Sequence, residues 1–174
     1  AISALAIPDK ALPRSDIVDA AQRAIDFVRT HLWKDSRLLA VHKDARSRFS
    51  AYLDDYAFLI DGLLESLQAR WRTEDLSFAR ELTETLLARF EDKESGGFFF
   101  TADDHESLIH RSKTFMDEAL PAGNAVAARA LNRLGLLLGL GDHRVGQHAR
   151  LQGLAQQGLE PRLVGRRVRA HALH

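Results

Sequence analysis

Residues 53–65, LDDYAFLIDGLLE, limit what this chain can fold into more than any other stretch. Two adjacent carboxylates, Asp54 and Asp55, open it, and from Tyr56 to Ile60 the only polar side-chain group is the tyrosine hydroxyl. A helix with apolar residues on every face leaves no side for water, so neighbours must enclose it. One of the two aspartates is expected to act as N-cap, accepting a bond from an orphan backbone N–H, while the other faces solvent or a ligand. The remainder of the chain has to supply the enclosing layers.

With 174 residues, 45% hydrophobic and 28% charged, the chain is long enough for one domain with a sizeable core. Its formal net charge is zero, which gives no reason to expect nucleic acid or an anionic membrane as partner. There is no cysteine, so disulfides, thiolate metal sites and a cysteine nucleophile are excluded, and a reducing, cytoplasmic location is expected. No apolar run approaches the roughly 20 residues a membrane helix needs. The single methionine is Met116, and the expectation is a piece of something longer.

Before the buried helix, Pro8 and Pro13 punctuate a connection, and Ser15 or Asp16 starts a helix. Its apolar stripe is Ile17, Ala21, Ala24, Ile25, Val28 and Leu32, with Asp19, Gln22, Arg23, Asp26 and Arg29 opposite, which predicts one wet face. Residues 37–42 read as a strand, 43–46 as its turn and 47–52 as the return, leading into a buried helix over 54–70. The same order then repeats. Residues 75–90 carry the stripe Ala79, Leu82, Leu86, Leu87 and Phe90. After Gly96 and Gly97, residues 98–101 are expected to pair with 108–111 across a polar turn. A helix apolar almost all round follows over 125–140.

The two units begin about 60 residues apart, each with an outer helix, a hairpin, an acidic pair and an inner helix. That alternation suggests an all-α fold, an α/α toroid whose inner helices form a ring and whose short β hairpins gather at one end. Residues 51–65 (AYLDDYAFLIDGLLE), Gly96-Gly97-Phe98-Phe99-Phe100-Thr101 and residues 121–128 (PAGNAVAA) resemble the C-terminal part of the spermatogenesis-associated, thioredoxin-like protein family. The resemblance covers residues 1–145. It implies a six-hairpin (α/α)6 toroid related to N-acylglucosamine 2-epimerases and cellobiose epimerases, normally preceded by a thioredoxin-like domain. A complete toroid has about twelve helices and this chain offers about six. A partial toroid follows, to be completed by its missing half or by a second copy in a homodimer. Leu134, Leu137 and Leu138 are expected near that open side.

The family's usual Pro-Ser-Gly-Asn stands here as Pro121-Ala122-Gly123-Asn124. Past residue 145 the amphipathic pattern decays among glycines, and residues 162–174 hold four arginines and no acid. We therefore divide the chain into a toroid domain, 1–145, and an atypical C-terminal helix or tail, 146–174, for which a flexible basic end and an altered one both fit.

The expected substrate-binding residues are Asp54, Asp55, Tyr56, Asp117, Glu118, Gly123 and Asn124, because carboxylates and amides match the geometry of sugar diols. Paired carboxylates are also capable of acid and base chemistry. The competing reading of Asp54 and Asn124 is helix capping, and of Tyr56, packing. His42 and His110 occupy comparable places in the two hairpins, but no motif makes either one catalytic. Phe98, Phe99 and Phe100 alternate in direction, so at least one face of that run belongs to the core. No phosphate loop, His-Glu-x-x-His pattern or nucleophile elbow is present, so no metal or cofactor is expected. The favoured function is a carbohydrate-binding or accessory toroid module of a larger thioredoxin-domain protein, inactive alone. A sugar epimerase-like or glycosidase-like enzyme fragment and a helical interaction module are the alternatives.

Overall fold

The structure is a computed structural model describing residues 15–105, 111–113, 115–116 and 120–139. Helix α1, Ser15–Phe27, starts where the sequence signals it, and a π-helical turn, Val28–Leu32, widens its end. Val18, Ala21 and Ile25 face the core. Gln22, expected on the wet face, is buried instead, and its Oε1 accepts from Arg70 at 2.8 Å.

Three short strands follow in an antiparallel meander: β1, Trp33–Lys34, β2, Arg37–Lys43, and β3, Arg46–Ser50. Both connections are two-residue turns. Asp35 and Ser36 join the first pair, Asp44 and Ala45 the second, and all four take positive φ, as tight turns matched to strand twist require. The predicted 37–42 strand, its turn and its return are therefore present.

Helix α2, Leu53–Ala69, is the enclosed element that the sequence demanded, with Tyr56, Ala57, Ile60 and Leu63 fully buried. Helix α3, Thr73–Phe90, folds back along it, and the ring of Phe90 at its end lies 5.2 Å from that of Tyr56 near the start of α2. Helix α4, Gly123–Leu137, packs on the other side of α2. The two inner helices run in the same direction. Gly123 lies against Asp54 at one end, while Asp61 meets Arg129 at 2.8 Å and Arg133 at 2.9 Å further along. Arg133 also pairs with Glu65 at 2.8 Å.

The second hairpin differs from expectation. Phe98 bridges back to Glu91 at the end of α3, and the Phe99 N–H donates to the Phe90 carbonyl at 2.8 Å. Gly96 and Gly97, both at positive φ, close this loop, which the sequence read only as an approach to a later hairpin. The Phe100 N–H donates to the Ser112 carbonyl at 2.8 Å, one residue beyond the expected partner segment. Leu108, Ile109 and His110 lie outside the described residues, as do the 1–14 connection and the 146–174 segment.

Leu134 turns into the core of its own chain. Leu137 is 45% exposed and Leu138 half-buried, while Leu136, which the sequence did not single out, is 66% exposed. No helix of the described residues is long and apolar enough to cross a membrane.

Candidate functional site

The N-termini of α2 and α4 meet at one end of the helix layer. Helix α2 begins at Leu53 with Tyr52 at the N-cap position, so neither aspartate caps it as expected. Asp55 sits one turn in and its carboxylate reaches back to accept from the Tyr52 N–H at 2.9 Å, the acidic half of a capping box. Asp54 projects sideways against Gly123. A Cβ at position 123 would overlap the Asp54 carboxyl group, so glycine is what lets the two helix ends close on it. Among the described residues none donates a hydrogen bond to Asp54. Burial, and secondly the charge of Asp55, push its carboxyl pKa above the ordinary value.

Asn124 is buried and holds the neighbouring loop. Its Oδ1 accepts from the Phe98 N–H at 2.7 Å and its Nδ2 donates to the Phe98 carbonyl at 2.9 Å, an amide-to-backbone pairing that fixes the 96–100 segment beside the site. Gly97 lies beneath the Phe115 ring and the Asn124 side chain. Tyr56 is 1% exposed and points into the core, where its hydroxyl accepts from the Leu38 N–H at 2.8 Å. Burial pushes its phenol pKa up. The structure thus brings Asp54, Asp55, Gly123 and Asn124 together and turns Tyr56 away beneath them. Asp117 and Glu118 lie outside the described residues.

Tertiary structure adds residues that sequence reasoning passed over. Tyr52 is stacked on Phe100 at 4.8 Å and on His105 at 5.3 Å, with the rings within 15° of parallel, so an aromatic row stands at the mouth of α2. Tyr52 stands two residues before the acidic pair, the one signal that could have marked it. Phe99 carries two cations, Arg111 at 4.2 Å and Lys113 at 4.9 Å from the ring centre. Lys113 also pairs with Asp92, whose carboxylate accepts from the Glu94 and Ser95 N–H groups at 2.9 and 3.1 Å. The Lys113 bond, followed by that from Ser95, holds the Asp92 pKa down to about 2. This latch closes the loop that Asn124 grips. Chemically, the end of the layer offers a half-buried carboxyl group with no cation beside it among the described residues, a fixed backbone loop and an aromatic rim. Among the described residues no group of three or more His, Cys, Asp or Glu is placed to hold a metal ion.

A helix-rich chain whose helices α2 and α4 run parallel and begin side by side has the arrangement of an epimerase-type α/α fold. The structure is similar to that of cellobiose 2-epimerase from Spirochaeta thermophila, with a TM-score of 0.66 over 86% of this chain and 40% of that one at 19% identity, which shows a common fold. In sequence the chain is similar to spermatogenesis-associated protein 20. It is 27% identical to the human protein and 29% identical to the mouse protein, each over 144 residues and 76% of this chain. To the rat protein it is 36% identical over 92 residues, 52% of this chain. The chain spans 18% of the length of the human and mouse relatives and 12% of the rat one. No family model matches it.

Proposed function

We propose that this chain is a carbohydrate-binding, accessory module built as part of an (α/α)6 toroid, working within a larger thioredoxin-domain protein. The supporting observation is Asp54, a carboxyl group half-buried where two parallel inner helices begin, with no cationic partner among the described residues and with Tyr52, Phe100 and His105 at the rim. Such a group accepts hydrogen bonds from vicinal hydroxyls, and aromatic rings accept the apolar faces of pyranose rings. The exposed Leu136 and Leu137 on α4 fit a contact with further helices, supplied by a longer chain or a second copy. The described residues supply two helices around the recess, α2 and α4, and in this reading the module alone binds without turning over its ligand.

The test is a titration with cello-oligosaccharides and N-acetylated sugars, followed by amide chemical shifts. Shifts confined to residues 52–55, 97–100 and 122–125, lost in Asp54→Asn while the fold is kept, support the reading. Absence of any shift at about 10 mM sugar, well above the dissociation constant of a millimolar site, would overturn it.

A further inference from the structure

His31, on the π-helical turn after α1, and His42, on β2, stand side by side away from the carboxylate recess, with ring centres 4.8 Å apart and planes tilted by 45°. We propose that these two imidazoles form a binding site for a late first-row divalent metal ion, the imidazole-preferring class that includes Zn²⁺, Cu²⁺ and Ni²⁺.

The hydrogen bonding around Ser47 fixes the chemistry of one ring. The Ser47 hydroxyl donates its only proton to the His31 carbonyl, so the 2.9 Å contact between Ser47 Oγ and His42 Nδ1 requires the imidazole nitrogen to be the donor. The neutral form of His42 is thereby held as the tautomer with its proton on Nδ1, which leaves Nε2 as the nitrogen that can ligate. This is the arrangement of a ligating histidine whose other nitrogen is anchored to an acceptor.

Ring spacing agrees with a shared ion. With metal–nitrogen distances of about 2.0–2.1 Å, and each ring centre roughly 1.1 Å behind its nitrogen, two imidazoles on one ion at tetrahedral or right angles stand about 4.5–5.2 Å apart. Phe27 packs on both rings, 4.7 Å from His31 and 5.3 Å from His42, which restricts their rotation without sealing them: His31 is exposed and His42 half-buried. The wide π turn presents His31 toward the hairpin, and such turns often occur where a side chain is placed for a ligand. Water completes the coordination, so the site is open and weaker than a four-ligand structural one.

Calorimetric titration with Zn²⁺ should give one site per chain, and half an equivalent of Cu²⁺ should give an electron paramagnetic resonance spectrum with two coupled imidazole nitrogens. His31→Gln and His42→Gln should each abolish that site, His105→Gln should leave it intact, and Ser47→Ala should weaken it about tenfold by freeing the His42 tautomer. Zn²⁺ affinity unchanged in either the His31 or the His42 variant would overturn the proposal. So would a Cu²⁺ spectrum of the unaltered protein showing fewer than two nitrogens, whatever the variants' stability.

Discussion

The two ends of the helix layer treat buried carboxylates in opposite ways. Where α2 turns into α3, Asp26 and Asp75 share two arginines: Arg72 donates to Asp26 at 2.5 Å and stands 3.4 Å from Asp75, while Arg29 lies 2.6 Å from Asp26 and 3.5 Å from Asp75. Hydrogen bonding to Arg72 pulls the Asp26 pKa down. Asp75 is 0% exposed, and its carboxyl pKa is raised, because burial outweighs two nearby arginines that make no hydrogen bond to it. At the other end Asp54 has no such cation among the described residues, and Asp55 stands beside it. One end uses acids to tie α1, the π turn and α3 together. The other leaves a half-buried carboxyl group without such a tie among the described residues, the group on which the proposed carbohydrate binding rests.

Arg72→Met should have the largest effect, since it converts the tied end into an approximation of the open one. Asp75 would then be a fully buried charge with less compensation, and chemical denaturation should show a loss of about 3–5 kcal/mol at neutral pH. The sign of its pH dependence follows from the raised pKa. The penalty is present above the folded-state pKa of Asp75 and disappears as pH falls through it toward the unfolded value near 3.8. The gap between variant and parent should therefore narrow on acidification, and a gap that widens would contradict the assignment.

Asn124→Ala removes both bonds to the Phe98 backbone and should cost about 2–3 kcal/mol, with increased hydrogen exchange at the Phe98 and Phe99 amides. Gly123→Ala pushes a methyl group into Asp54 and should cost about 1–3 kcal/mol by overpacking. Adding Asp54→Gly should recover most of that loss, and failure to do so would place the strain elsewhere. Asp54→Asn should have the smallest effect on stability, under about 1 kcal/mol at neutral pH. Because the Asp54 pKa is raised, its ionised form is the destabilised one. The parent should gain stability as pH falls through that pKa, and the amide variant should lack this gain.

The sequence by itself determined the layers. Apolar residues on every face of 53–65 required an enclosed helix, the stripe in 75–90 required an outer one, and the turn residues around 44 and 45 required a hairpin. Each is set by residues within a few turns of one another, where periodicity and side-chain chemistry act locally. The three motifs that carried the family resemblance likewise read directly from the letters. Tertiary structure decided how the polar residues are used. Two adjacent aspartates look equivalent in sequence, yet Asp55 turns back to the Tyr52 N–H while Asp54 meets Gly123, 69 positions along the chain. Asn124 looks like a cap and instead grips Phe98, Tyr56 looks like a ligand and instead accepts from Leu38, and Gln22 looks wet and is buried against Arg70. Most buried polar groups pair with whatever the packed helices bring to them. Local pattern fixes the face on which such a residue sits, and only the folded chain fixes what it meets there.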